Sequence, residues 1–186
     1  SNKTIKQNLI DGLSKKEFIL SKFYTIVFFS LVATLLLFLI SLLIGLYYSS
    51  YNEINIIFRE TEYLVGYFVK LVGFFSFCLF LGMLAKRSAF ALAFLFIDFI
   101  LEWIILGLIS WKGSFEIADK IQNFFPLKSM YNLIKQPVQR IVMSKFPDKT
   151  EIAYDYALHW YELVIVLVWT AIFLFLSYRL LKKRDL

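Results

Sequence analysis

Three ionisable residues stand where ionisable residues are costly. Lys70, Asp98 and Glu102 lie inside long apolar runs, and carrying a charged side chain into a bilayer costs roughly 2.5–3.5 kcal/mol on insertion scales. Asp98 and Glu102 are four residues apart, so on a helix they share a face. Lys70 lies seven residues in from Tyr63, and Glu102 lies seven residues in from Ile109. At about 1.5 Å per residue, both sit roughly 10 Å below the same boundary. The very short Lys86-Arg87 connection makes their two runs antiparallel neighbours. This spacing predicts a Lys70–Glu102 pair, with Asp98 also within reach of the lysine stem. Gly66 and Gly73, at i−4 and i+3 from Lys70, would permit close helix approach on that face. Three uses of the charges stay open: a structural ion pair, a part in a substrate path or gate, and a proton relay. A two-carboxylate enzyme site is not expected, because no further protonatable group is placed to share the chemistry.

No other constellation carries reaction chemistry. The single cysteine, Cys78, excludes an intrachain disulfide, and the single histidine, His159, beside Trp160, cannot build a metal site alone and reads as a surface residue. A Gly-x-x-x-x-Gly-Lys-Ser/Thr phosphate loop is absent, so this chain is not expected to hydrolyse ATP. We therefore expect no catalytic residues, no metal and no cofactor. The net charge of +6 could suggest nucleic acid. The basic residues instead gather in short segments flanking apolar runs, which points to topology signals and lipid contacts. No nucleic-acid partner is expected.

The elements that position these groups are membrane helices. The chain is 60% apolar, whereas a soluble domain sits nearer half. Four runs are long enough to cross: residues 23–48, 63–85, 89–109 and 161–181. None contains proline; Pro126, Pro137 and Pro147 all fall between the third and fourth. The expected class is all-α, a polytopic helical bundle with four transmembrane helices. Lys3, Lys6, Lys15, Lys16 and Lys22 precede the first run, and Arg179, Lys182, Lys183 and Arg184 end the last. By the positive-inside rule both termini are cytoplasmic, a parity that four crossings also require. Residues 110–160 then lie outside as short amphipathic pieces, interfacial or re-entrant, around Phe115–Phe125, 127–135 and 138–146. Pro126 is read as the stop of the first piece. Asp148 and Glu151 are read as the cap of a helix running on into the fourth crossing, 161–186 with its basic tail.

Residues 1–22 form a cytoplasmic elbow. Ile5, Leu9 and Leu13 give a short amphipathic helix, Asp11-Gly12 breaks it, and Ser14-Lys15-Lys16-Glu17 is a capping box that starts a second helix at Lys15. The elbow is either an interfacial anchor or a knob that docks into a soluble partner.

The stretch TIKQNLIDGLSKKEF, residues 4–18, resembles the cytoplasmic loop of ABC-2 type permeases, the membrane subunits of one class of ABC transporters. That loop reads as a polar-aliphatic run, then DGLS, then a charged pair and an aromatic. The resemblance implies a permease in the cell (inner) membrane, moving a substrate with energy from a separate ATP-binding cassette subunit. It implies that Asp11, Gly12, Leu13, Ser14, Glu17 and Phe18 couple to that subunit. It also implies a second permease copy, or a homologous permease, as a partner alongside membrane lipids. The family has six helices; with Ser at position 1, this chain is read as lacking the first two. A structural or assembly protein without transport activity is the alternative reading.

Overall fold

The computed structural model describes residues 14–48, 61–85, 88–112, 120–134 and 157–183. Its helices include α1 (Lys15–Tyr48), α2 (Glu62–Leu84), α3 (Ser88–Lys112), α4 (Pro126–Asn132) and α5 (Trp160–Lys183), and residues 120–122 are helical as well. Four of these, all but α4, are long and apolar enough to cross a membrane. The described residues include no β-strand. The first elbow helix with Asp11, Gly12 and Leu13, and the outer pieces 113–119 and 135–156, lie outside the described residues.

Helix α1 shows why the bundle needs lipid. Its 34 residues bury only Phe18, Ile19 and Ser30. Leu35, Leu36 and Leu37, at successive steps of about 100°, are exposed on different sides of it. A helix apolar all round belongs in a core or a bilayer, and no core covers this one. At about 1.5 Å per residue it is roughly 51 Å long, well beyond a hydrocarbon core of about 30 Å. Its lysine-bearing first two turns therefore project into the interface or the water. The start at Lys15 is set by the capping box read from sequence: the Ser14 backbone N–H donates to Glu17 Oε2 at 2.8 Å, and the Glu17 N–H donates to Ser14 Oγ at 3.2 Å.

Helices α2 and α5 form the centre and pack most extensively. Val69, Phe77, Leu81, Val166 and Phe173 fill their seam with Met130 and Leu133. Phe77 and Phe80 lie 4.8 and 5.7 Å from the Phe173 ring, so both are packing residues. Gly73 is required here: a Cβ on it would come within 2.8 Å of Val166 Cγ1 and 3.2 Å of Met130 Cε. The close approach read from Gly66 and Gly73 thus occurs on the side of α4 and α5, with Leu158 facing Gly66, and not against α3.

Thr25, Thr34 and Thr170 return their hydroxyls to the carbonyls of Ser21, Ser30 and Val166, satisfying them within their own helices as lipid demands. A second cluster, Phe18, Ile19, Met83 and Leu181, joins the start of α1 to the ends of α2 and α5. The two ends of the described chain therefore lie at the same end of the bundle.

One local expectation is corrected. Residues 157–159 are not helical, so no helix runs continuously from Asp148 and Glu151 into the last crossing. Helix α5 begins at Trp160, where Glu162 Oε2 accepts the His159 backbone N–H at 3.4 Å. Residues 120–122 are helical and 123–125 are not, so helix does end ahead of Pro126, which is in turn the first residue of α4, where its missing N–H costs nothing.

Candidate functional site: a short helix clamped between membrane charges

The site grows from α4. A seven-residue helix is marginal by itself, since helices shorter than ~12–15 residues scarcely form alone in water. The first N–H groups of a helix have no intrahelical acceptor. Here they meet a carboxylate: the Leu127 N–H donates to Glu102 Oε1 at 2.8 Å, and the Lys128 N–H donates to Glu102 Oε2 at 3.1 Å. Glu102 is 3% exposed in a helix whose other described side chains face outward or are only partly covered. Its charge is thus paired with backbone donors at the positive end of a helix, where an anion is favoured.

The opposite end of α4 meets the opposite charge. Lys70 Nζ reaches the Tyr131 carbonyl at 3.5 Å and sits 5.4 Å from the centre of the Tyr131 ring. The carbonyl contact is long for a hydrogen bond; the cation–π contact adds to it. Lys128 lies 5.7 Å over the same ring. Ser129 Oγ donates to the Pro126 carbonyl at 2.9 Å, and Asn132 Nδ2 donates to Asn123 Oδ1 at 2.8 Å. The Trp169 indole N–H, from α5, donates to the Phe124 carbonyl at 3.0 Å. Below, Met130 and Leu133 are buried against α2 and α5.

The Lys70–Glu102 pair read from sequence does not form. The two residues have matched depth, but α4 stands between them, and each binds one end of it. Asp98 is not the lysine's partner either: its Oδ2 is buried and accepts no hydrogen bond among the described residues. Sequence reasoning places an amphipathic piece at 127–135, where α4 lies, but misses its contacts with Glu102 and Lys70, and it misses Trp169. A lone tryptophan amid aliphatic residues, Val166 to Ile172, was the available signal.

The remaining candidates separate from this site. Ser14, Glu17 and Phe18 lie at the other end of the bundle, the first two as a cap and Phe18 buried beside Leu181. His159 is partly buried, its ring 5.1 Å from Tyr161 and its Nδ1 3.9 Å from Glu162, so it is more enclosed than a surface histidine. Cys78 is a partly buried free thiol within α2. No group of three or more metal-ligating side chains occurs among the described residues.

A family model described as ABC-2 family transporter protein matches residues 1–186. No curated protein and no solved structure matches the chain.

Proposed function

Because the chain belongs to the ABC-2 family of transporter proteins, we propose that it is the membrane-spanning permease part of a transporter powered by a separate ATP-binding cassette subunit. The family is one of membrane transport proteins, not of enzymes, and it pairs generally with an ATPase. In this reading the permease works beside a second copy or a homologous permease and resides in the cell (inner) membrane.

The observation that supports the mechanical part is the packing of Phe18 and Ile19 against Met83 and Leu181. The capped start of α1 is thereby joined to the ends of α2 and α5, and α1 continues unbroken across the membrane. A push on the elbow at Asp11, Gly12, Leu13, Ser14, Glu17 and Phe18 would move three helix ends as a unit. ATP-driven closure of the partner would enter there, and the α4 clamp at the far end would respond. In the complex co-expressed with its ATPase, Gly12→Pro and Phe18→Ala should each weaken ATPase association or substrate-stimulated hydrolysis while membrane insertion stays intact. Unchanged assembly and coupling in both variants would refute the coupling role.

The proposed orientation places both described ends in the cytoplasm. It rests on the lysines and arginines at the shared end of the bundle. With Cys78 replaced by alanine, a cysteine at Lys183 should resist an impermeant thiol reagent in intact cells and react after permeabilisation. A cysteine at Lys120 should react in intact cells. The reverse pattern would invert the topology.

A further inference from the structure

Of the three charges inside the membrane helices, Lys70 and Glu102 are bound and Asp98 is not. Lys70 lies against the Tyr131 carbonyl and ring, and Glu102 accepts two backbone N–H groups of α4. Lys128, on α4, is turned to the same Tyr131 ring. Asp98 Oδ2 is buried and accepts no hydrogen bond among the described residues. Ser30, Ser76 and Ser177 also lack hydrogen-bond partners there, but a neutral hydroxyl costs far less to bury than a carboxylate. Asp98 is therefore a costly group inside the membrane whose cost no described contact offsets.

Helical spacing places Asp98 at the edge of the face that α3 turns to the bundle. Ala91 and Leu95, at i−7 and i−3, pack against the core, and Glu102, at i+4, meets α4. On its other side, Phe94 at i−4 and Leu101 at i+3 are 42% and 50% exposed. Asp98 itself is partly buried, so its carboxyl is sheltered on one side and borders the bilayer on the other. It lies eleven residues below Ile109, roughly 16 Å at about 1.5 Å per residue. Half of a hydrocarbon core is about 15 Å, so the carboxyl is near the bilayer midplane.

At that depth the counter-charge must be one that can itself enter hydrocarbon. A metal ion would need several further ligands, and no group of three or more metal-ligating side chains occurs among the described residues. An organic cation whose charge is shielded by apolar groups needs only a counter-charge, apolar walls and an aromatic face. Asp98 supplies the counter-charge, Leu101 and Phe94 the walls, and Phe94 the aromatic face. We propose that Asp98 binds a lipophilic organic cation, of the quaternary phosphonium or ammonium class, that reaches it from the bilayer between Phe94 and Leu101. As a statement of substrate class this rests on the permease reading. The binding itself does not, because this chain alone carries the carboxylate.

The whole chain in phosphatidylcholine nanodiscs provides the test. Tetraphenylphosphonium is the probe, and tetraphenylborate, similar in size and opposite in charge, is the control. Equilibrium dialysis should show saturable binding of the phosphonium beyond that of nanodiscs without protein. Asp98→Asn should weaken that binding roughly tenfold or more and leave the borate unaffected. It should not lower the unfolding temperature, because it removes a charge that no described contact offsets. A check that needs no variant to fold uses dicyclohexylcarbodiimide, which modifies carboxyls within membranes. In the parent chain the phosphonium should protect Asp98 from it, read by peptide mass spectrometry, and the borate should not. Binding no greater than to nanodiscs without protein, equal binding by Asp98→Asn, or equal protection by both ions would overturn the proposal. So would a marked fall in the unfolding temperature of Asp98→Asn, which would make the carboxyl structural. None of these results would touch the permease reading, which is tested by association with the ATPase.

Discussion

Replacing Glu102 with alanine is expected to release α4 from its place in the bundle. The change removes both acceptors of the Leu127 and Lys128 N–H groups. Leaving buried donors unsatisfied costs about 1–3 kcal/mol each, so a loss of about 2–6 kcal/mol is expected from the two together. Neither group has another acceptor within a helix, because both belong to the first turn of α4. Glu102→Gln keeps one acceptor oxygen and loses the charge, so it should lie between the parent and the alanine variant. Thermal unfolding of the purified chain gives the stability. A local reporter is available in Ser129, which is 4% exposed. In a Cys78→Ala background, a cysteine at Ser129 should react slowly with a thiol reagent, and faster when Glu102 is alanine. If that cysteine stays equally protected, the carboxylate does not hold α4.

The carboxylate matters to α3 as well. Leu92, Phe96, Trp103 and Leu108 are all exposed, and Glu102 is the one fully buried residue among the described side chains of α3. The helix thus adds this carboxylate contact with α4 to the apolar contacts that Ala91 and Leu95 make with the core. Apolar contacts between membrane helices gain little over contacts with lipid, whereas a desolvated carboxylate on two amides has no equivalent in hydrocarbon. That asymmetry explains how a costly residue can hold an otherwise lipid-facing helix in place.

The membrane helices could be read from the sequence because lipid makes their signal strong. A charge-free stretch such as 23–48 has few soluble explanations, and the prolines stand outside every crossing. The Ser14–Glu17 cap was equally readable, since both of its hydrogen bonds are local and depend only on a three-residue spacing. What could not be read was who faces whom. Periodicity fixes a residue's height and rotation on its own helix, and it says nothing of what lies between two helices. On spacing alone Lys70 and Glu102 match in depth and pair with each other, while the segment that separates them shows only the spacing of an amphipathic piece. Gly73 failed in the same way: its smallness was apparent, but only packing shows that Val166 and Met130 fill the space. Pro126 is ambiguous in principle, because proline both ends a preceding helix and favours the first position of a new one.

Exchanging the two charges distinguishes a clamp from a pair more sharply than removing either. If Lys70 and Glu102 bound each other, Lys70→Glu combined with Glu102→Lys would restore the attraction, and the double variant would recover much of what each single variant loses. In the structure the exchange does the reverse. A lysine at position 102 would direct its ammonium at the Leu127 and Lys128 N–H groups, donor against donor, at the positive end of α4. A glutamate at position 70 would face the Tyr131 carbonyl and the negative face of its ring. Both ends of the short helix would then oppose the charge beside them. The double variant is therefore expected to be at least as unstable as Glu102→Lys alone, with α4 undocked. The measurement is a double-mutant cycle on unfolding in detergent or bilayer, read together with the Ser129 cysteine. Recovery of stability by the exchanged pair would mean that the two charges meet directly and that α4 does not part them. Failure to recover, with Ser129→Cys exposed, is the outcome that the geometry of Glu102 on two amides and Lys70 on Tyr131 requires.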